Sequence, residues 1–315
     1  MTEVFAKRLV QEQHELTRLA TEKKRGLIAP LEILVFIAVF FVTQIAAAIP
    51  GIFPGIFIGI ILAVIYGPDG IGQVEAIISD PVFSTGTALF FTSLPLLLTI
   101  LFCMLIQKRS VMSMGFRGKD FAVQYLKGLL VGFVLFTLVI AIGTLTGGFR
   151  FTGVSDQFHV LFLLLFFAGF MIQGMEEEVI CRGYFMVSLS RRSPMWLAVL
   201  INAVLFALMH LFNPGIGVLP IVNLMLFGAF ASLYMLRTGN IWGVGAVHTM
   251  WNYVQGNIYG LPVSGITEMP TLVRFEQTGS TLINGGEFGP EGGLVVTAVY
   301  LAGILLVLFL PERKR

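Results

Sequence analysis

The sequence predicts an all-α protein that crosses a membrane several times. Hydrophobic residues make up 56% of its 315 residues and charged residues only 12%, whereas soluble domains carry about 25% charged residues. The apolar residues are gathered in long runs, and a helix of about 20 such residues crosses the hydrocarbon of a bilayer. The net charge of +2 is too small to indicate a nucleic-acid partner. The lipid bilayer is therefore the expected surrounding.

Eight apolar runs are candidate transmembrane helices. They are residues 28–49, 84–106, 125–146, 158–181, 195–212, 217–236, 241–258 and 292–310. The apolar stretch 52–66 is expected to be a re-entrant or interfacial segment instead, because Pro54 and several glycines weaken a continuous helix there. The runs together predict one polytopic domain of eight transmembrane helices.

The basic residues predict the orientation of this domain. With a cytoplasmic N-terminus and eight spans, most of the 20 Lys and Arg residues fall on the cytoplasmic side, and only Arg150 and Arg274 fall outside. Counting 52–66 as a ninth span would reverse the side of the later basic segments. The positive-inside rule thus favours an integral protein of the plasma or inner membrane with both termini in the cytoplasm.

The first 26 residues differ from the rest of the chain. Basic and acidic residues alternate there with apolar residues at near-helical spacing, which predicts an amphipathic helix on the membrane surface. A signal peptide is not expected, because the charged stretch is long and of mixed sign. Residues 27–315 form the membrane domain, in which the polar loop 259–291 is either a lid or an outer connector. Cys103 and Cys181 are expected to be buried free thiols.

A cluster of three acids, Glu176, Glu177 and Glu178, interrupts the fourth apolar run. Ionisable groups within a membrane are costly and are candidates for function. Arg182 follows Glu178 by one helical turn, so that these two can pair. Glu177 then points about 100° away from Glu178 and is free for chemistry. It lies about 21 Å of helix from the turn at Arg191, which places it within the bilayer.

Two histidines share the predicted depth of these acids. His210 lies about 24 Å along its helix from Pro194. His248 and Asn252 occupy one face of a later helix, on which Gly245 would allow another helix to approach closely. Glu177 could act as a base with help from His210, while His248 and Asn252 could donate to a developing oxyanion.

The same residues also allow a metal site. Two histidines and one glutamate with an open position are a common catalytic zinc set. Glu177, His210 and His248 could therefore hold a divalent metal such as zinc, or no cofactor is required. The sequence alone leaves metal-free and metal-assisted attack by water both open.

Three motifs in this order resemble the CAAX-protease and bacteriocin-processing (CPBP) family, which includes the type II CAAX prenyl endopeptidases. They are Glu-Glu-x-x-x-Arg at 177–182, Phe-x-x-x-His at 206–210 and His-x-x-x-Asn at 248–252. The segment 288–292 is also similar to bacterial members, whereas Glu176 is an acid outside the motif. The resemblance implies eight helices around a conical cavity that is open to the membrane. It also implies that Glu177 and His210 activate water, that His248 and Asn252 stabilise the oxyanion, and that Glu178 and Arg182 support them.

The expected function is that of an intramembrane endopeptidase. Its substrate would be a peptide or membrane protein, processed at a CAAX-type tail or a leader peptide. One alternative is a catalytically silent scaffold or a bacteriocin-immunity-type protein. A proton-coupled transporter that uses the buried carboxylates is less favoured, because no internal repeat is evident in the sequence.

Overall fold

The architecture was derived from a computed structural model that describes residues 5–11, 14–67, 76, 79–156 and 159–311. The fold is mostly helical, at 72%. Its α-helices are α1 (Phe5–Gln11), α2 (Glu15–Thr21), α3 (Ala29–Tyr66), α4 (Pro81–Phe91), α5 (Ser93–Leu101), α6 (Phe121–Leu145), α7 (Val160–Glu178), α8 (Val187–Ser190), α9 (Met195–Leu208), α10 (Val218–Thr238), α11 (Ile241–Tyr253), α12 (Thr281–Asn284) and α13 (Leu294–Phe309).

Three π-helical segments extend these helices. They are Phe102–Ile106 after α5, Val179–Met186 between α7 and α8, and Val254–Ile258 after α11. Short 3-10 turns lie at Val111–Met114, Gly286–Phe288 and Pro290–Gly292. A π turn closes with i→i+5 hydrogen bonds and is wider than an α turn, and such turns are frequent at functional sites.

Five of the described helical stretches are long and apolar enough to cross a membrane. They are Ala29–Ala47, Pro81–Ile106, Phe121–Leu145, Val160–Ser190 and Val218–Thr238. The predicted spans 195–212, 241–258 and 292–310 correspond to the shorter helices α9, α11 and α13. The predicted helical regions are thus present, but the count of eight spans is not confirmed. Helix α9 is short because the polar and helix-breaking stretch from His210 to Gly215 follows it closely.

Helix α3 corrects the prediction for the stretch 52–66. The helix continues without a break from Ala29 to Tyr66, so that this stretch is not a separate re-entrant segment. Its 38 residues correspond to a length of about 57 Å, compared with about 30 Å for the hydrocarbon core. Proline and glycine are tolerated within transmembrane helices, where neighbouring groups and local adjustments satisfy the freed backbone groups.

The N-terminal segment packs against the rest of the protein. It forms two short helices, and Phe5, Leu16 and Ala20 are buried in the main core of the protein. The hydroxyl groups of Thr17 and Ser190 are 2.7 Å apart. Part of the apolar face of this segment therefore packs on the helical bundle. Residues 1–4, 12 and 13 of the predicted leader, and the basic tail 312–315, fall outside the described residues.

A small antiparallel sheet is an addition to the predicted all-α fold. Strand β1 (Phe149–Val154) pairs with β2 (Val273–Gln277), and the register shifts between Phe151 and Gly153. The sheet ties the connection between α6 and α7 to the loop between α11 and α13. Loop 259–291 is therefore partly structured by its pairing with a distant segment.

Helices α7 and α11 approach each other closely through glycines. A Cβ atom at Gly245 would collide with the Sδ atom of Met175, and one at Gly174 would lie 2.8 Å from the backbone nitrogen of Thr249. The prediction that Gly245 allows a close helix contact is confirmed. This contact places Glu177 and Glu178, at the end of α7, beside the polar face of α11.

Candidate active site

The three consecutive acids on α7 face three different surroundings. Glu176 is buried and accepts a hydrogen bond of 3.0 Å from Nε2 of Gln44 on α3. The side chain of Glu178 is 0% exposed, whereas that of Glu177 is 18% exposed. A helix rotates by about 100° per residue, so that neighbouring side chains diverge as predicted. Glu176, the acid outside the motif, is thereby directed away from the other two.

Glu178 forms the centre of a buried charged cluster. Its Oε1 atom accepts a hydrogen bond of 3.0 Å from Nη1 of Arg182 and lies 2.9 Å from Nδ1 of His248. The Arg182 guanidinium also stacks over the ring of Phe206, at 4.4 Å from the ring centre. The predicted Glu178–Arg182 pair is therefore present. Because a carboxylate oxygen accepts from both partners, Glu178 fixes the orientation of the His248 imidazole.

Glu177 retains an unpaired oxygen atom. Gln173, one turn earlier on α7, donates from Nε2 to Oε1 of Glu177. The Oε2 atom is buried and has no hydrogen-bond partner among the described residues. It lies 3.9 Å from Nε2 of His248, which is too long for a hydrogen bond. Most buried polar atoms are satisfied, so that this oxygen marks a place where a water or a substrate donor can bind.

His210 does not lie within its predicted helix. Helix α9 ends at Leu208, and His210 occupies the following turn. Its Nδ1 atom is 2.9 Å from the carbonyl oxygen of Phe206. A carbonyl oxygen can only accept, so that Nδ1 carries the proton and Nε2 is a free acceptor in the neutral ring. The turn conformation follows from the helix-breaking sequence that begins at Asn213-Pro214.

One small cavity joins the two histidines. It is lined by Phe206, His210, Asn223, Leu224, Phe227, His248, Trp251, Asn252, Ser264, Glu291 and Tyr300. The cavity has about the size that a single water molecule needs. His210, His248 and Asn252 thus meet at one place. Glu177 does not line this cavity, but its Oε2 atom lies 3.9 Å from Nε2 of His248, which does.

Two polar residues near the cavity were not among the sequence candidates. Gln173 accepts a hydrogen bond of 3.1 Å from Nδ2 of Asn252 and also donates to Glu177, so that it bridges two candidates. Gln173 lies one turn before Glu177, and this i, i+4 spacing could have indicated from the sequence that the two side chains meet. Glu291 is the last residue of the predicted loop 259–291 and lies in the segment 288–292 that is similar to bacterial family members, but this similarity did not indicate that its side chain reaches the cavity.

The residues do not fit a metal site in the arrangement that the structure shows. Among the described residues, no group of three or more His, Cys, Asp or Glu side chains converges as metal ligands. The Nδ1 atom of His248 is engaged by Glu178 and that of His210 by a backbone carbonyl, an orientation that metal-bound histidines also show, so that the misfit lies in the separation of the groups and not in the rings themselves. The proposed set of Glu177, His210 and His248 is therefore not gathered as a ligand set.

The middle of the chain matches the model of a known protein family. Residues 159–254 match the family model of type II CAAX prenyl endopeptidases, Rce1-like. The predicted resemblance is confirmed over this segment. The Rce1-like segment contains all of the motif residues from Glu177 to Asn252 and leaves helix α3 and Glu291 outside it. No curated protein and no solved structure matches the chain.

The Rce1-like segment and the apolar helices lead to the same broad conclusion. The family is one of proteases, and five helices have the length and composition to cross a bilayer. The length and composition of these helices support an integral membrane protein, and the matched segment is similar to a family of proteases. A peptide or protein in the membrane is the substrate class that such a family implies.

Proposed function

We propose that the protein is an intramembrane endopeptidase that hydrolyses a peptide bond in a peptide or membrane protein. Its substrate is processed at a CAAX-type tail or a leader peptide. The observation that carries this proposal is the buried Oε2 atom of Glu177, which has no hydrogen-bond partner among the described residues. It lies 3.9 Å from a histidine that shares a cavity with His210 and Asn252. A buried base beside convergent polar groups is the arrangement that hydrolysis requires.

Glu177 and His210 act on the water in this proposal. Gln173 holds Oε1 of Glu177, and Oε2 is left to accept a proton from water. His210 is held through Nδ1 and presents Nε2 as a second acceptor. Two acceptors orient a water so that a lone pair of its oxygen faces the substrate carbonyl. The proton from the attacking water passes to Glu177, which then delivers it to the departing amine.

His248 and Asn252 stabilise the oxyanion. The Nδ1–H group of His248 donates to Glu178, so that Nε2 donates to an oxyanion only when the ring is doubly protonated. The resulting imidazolium places a positive charge beside the developing negative charge. Asn252 donates one amide hydrogen to Gln173 and has a second one for the substrate. Removal of one oxyanion donor typically lowers kcat by about 10²–10³-fold.

Cleavage by the reconstituted protein tests the proposal. The wild-type chain is placed in liposomes with three peptides: a prenylated CAAX peptide, the same peptide without the prenyl group, and an apolar leader-type peptide. Products are identified by mass spectrometry. We expect Glu177→Gln to lower kcat/KM by about 10²–10⁴-fold, because general-base catalysis contributes roughly this factor.

Glu176→Gln is the matched control. Glu176 is the preceding residue and is also buried, but it contacts Gln44 on α3 and not the cavity. We expect it to retain cleavage. Folded wild-type protein that cleaves none of the peptides would contradict the proposal, as would an active Glu177→Gln variant. A cellular function that survives Glu177→Gln would indicate a scaffold, and a flux driven by a pH gradient in the same liposomes would indicate a transporter.

Metal removal tests the mechanism separately. Because the candidate ligands do not converge, we expect cleavage to persist after dialysis against a strong chelator. Loss of cleavage that added zinc alone restores would contradict the metal-free mechanism while leaving the peptidase function intact.

A further inference from the structure

Glu291 is a buried acid that the sequence motifs do not include. It lies in the 3-10 turn Pro290–Gly292, directly before α13, and is 8% exposed. Its Oε1 atom accepts a hydrogen bond of 3.2 Å from Nε1 of Trp251. Its Oε2 atom accepts from Nε2 of Gln255 at 3.3 Å, and from the backbone nitrogen and hydroxyl group of Ser264 at 2.7 and 2.8 Å. None of the described ion pairs includes it, so that neutral donors alone stabilise the buried carboxylate.

The chain on both sides of Glu291 is fixed to α10. Nδ2 of Asn223 donates to the carbonyl oxygen of Glu291 at 2.7 Å and to that of Gly293 at 2.9 Å. The hydroxyl group of Thr297 on α13 donates to Oδ1 of Asn223 at 2.6 Å. The carboxylate therefore projects from a rigid support towards the cavity that it lines.

Ser264 connects Glu291 to the opposite wall of the cavity. Its φ angle of 48° is in the left-handed region, which is unfavourable for a residue with a side chain. Both of its donors are directed to the same carboxylate oxygen. Its carbonyl oxygen accepts a hydrogen bond of 3.0 Å from Nδ2 of Asn213. These three hydrogen bonds, two to the carboxylate of Glu291 and one from Asn213, thus hold this unusual backbone conformation in place.

Asn213 belongs to the turn that carries His210. Its backbone nitrogen donates to the carbonyl oxygen of His210 at 3.0 Å. Helix α9 ends at Leu208, and His210 is held to its last turn by the bond from its backbone nitrogen to the carbonyl oxygen of Ala207 at 3.1 Å and by the contact of Nδ1 with Phe206. The contacts from Glu291 through Ser264 to Asn213 provide a second support for this turn.

We infer that Glu291 is a positioning residue that holds the His210 turn and the loop around Ser264 over the cavity. The inference rests on the proposed function, in which His210 orients the water. Glu291 acts through Ser264 and Asn213 and does not itself touch the reacting atoms. The loop 259–291, which the sequence left as a lid or an outer connector, thereby becomes part of the cavity wall.

Hydrogen exchange and kinetics of three variants test this inference. Glu291→Gln keeps the shape of the side chain but presents an amide NH2 group where one carboxylate oxygen now accepts from its neighbours. We expect faster backbone exchange at 209–217 and at 259–268, without a change in α7 or α11. We also expect a lower kcat with KM nearly unchanged, because the water is misplaced while the peptide still binds.

Asn213→Ala breaks the same chain of contacts at a half-buried position and is not expected to prevent folding. It should accelerate exchange at 209–217 and leave 259–268 as in the wild type. Glu287→Gln is the matched control, because Glu287 is an exposed acid of the same loop, and it should change neither segment.

Unchanged exchange at 209–217 in both Glu291→Gln and Asn213→Ala would overturn the inference. An equal increase in every helix would also overturn it, because that pattern indicates general destabilisation. Exchange requires no substrate, so that a wild-type protein without protease activity would contradict the proposed function and not this arrangement of the loop.

Discussion

Two buried arginines in this protein have very different partners. Arg182 pairs with Glu178, which also contacts His248, and its guanidinium covers the ring of Phe206. Arg109, at the end of the bundle near α2, is 4% exposed. Its guanidinium donates to neutral acceptors: the side chains of Gln107, Ser113 and Ser188, and the carbonyl oxygens of Ser113, Gly183 and Tyr184. None of the described ion pairs includes Arg109.

The different partners indicate different roles for the two arginine clusters: the cluster of Arg109 supports the structure, and the cluster of Arg182 also takes part in the proposed chemistry. Gln107 links Arg109 to the buried acid Glu32 through a hydrogen bond of 2.9 Å, so that the two charges are joined by a neutral amide. Every partner of Arg109 has a fixed protonation state except at extreme pH. The cluster of Arg182 instead includes a histidine that can gain or lose a proton. We therefore expect variants of the first cluster to affect stability and variants of the second to affect stability and turnover together.

Glu178→Ala should have the largest effect. It leaves the Arg182 guanidinium buried without its carboxylate and frees the His248 ring. Removal of one member of a buried ion pair typically costs about 3–5 kcal/mol in the free energy of unfolding, and we also expect cleavage to be lost. Equilibrium unfolding in detergent measures the first effect and peptide cleavage the second.

A double variant controls for the isolated charge. Glu178→Leu combined with Arg182→Met replaces the pair with apolar side chains, and such replacements are often neutral for stability. We expect this protein to recover stability without recovering cleavage, because His248 still lacks its acceptor. A Glu178→Ala variant that is as stable as the wild type would remove the distinction between the two arginines.

Arg109→Met should destabilise the protein and leave the chemistry intact. The carbonyl oxygens of Gly183 and Tyr184 lose a donor, and each buried acceptor without a partner costs about 1–3 kcal/mol. We expect a lower free energy of unfolding, while kcat of the folded protein remains that of the wild type. Lys108→Met is the control, because Lys108 is the exposed preceding residue. A marked fall in kcat would show that both arginines support the active site.

A third arginine, Arg117, extends the comparison to the protein surface and should give the smallest effect. It forms an ion pair with Glu15 of α2, with side-chain exposures of 28% and 51% respectively. Its hydrogen bond lowers the pKa of Glu15 below the ordinary value of 4.5. The pair therefore stabilises the fold above the unfolded-state pKa, and this contribution disappears as the pH falls through the lowered value.

Glu15→Gln should therefore cost about 0.2–1 kcal/mol at neutral pH, as is usual for exposed pairs. The difference from the wild type should vanish in acid and decrease in high salt. Glu22→Gln, an exposed acid just after α2, provides the control. Unfolding curves recorded between pH 3 and pH 7 check the result, and a difference that does not depend on pH would assign the effect to helix propensity.

The helical regions could be predicted from the sequence because apolar length is a strong local signal. Helix arithmetic also indicated that Glu177 and Glu178 diverge and that Glu178 meets Arg182. The prediction for residues 52–66 was wrong, because it relied only on the local helix preferences of proline and glycine. Helix α3 continues through the proline and glycines that the prediction for 52–66 took as interruptions.

The candidate site was only partly predictable for a similar reason. The spacing along one helix predicted that His248 and Asn252 share a face, and the structure places both of them with His210 at one cavity. The contacts of Glu291 and Ser264 join segments far apart in the chain, and no periodicity signals such contacts. The roles of these residues in catalysis remain predictions until the variants are measured.

The wide helical segment Val179–Met186 has a consequence for insertions and deletions. It carries Arg182 and also the carbonyl groups that accept hydrogen bonds from Arg109, and Ser188 lies two residues after it. Removing one residue after Arg182 would rotate α8 by about 100° relative to the acids. The Glu178–Arg182 pair would keep its spacing, but Ser188 would turn away from Arg109. The number of residues in this segment, more than their identity, therefore sets the angular alignment of the two buried clusters.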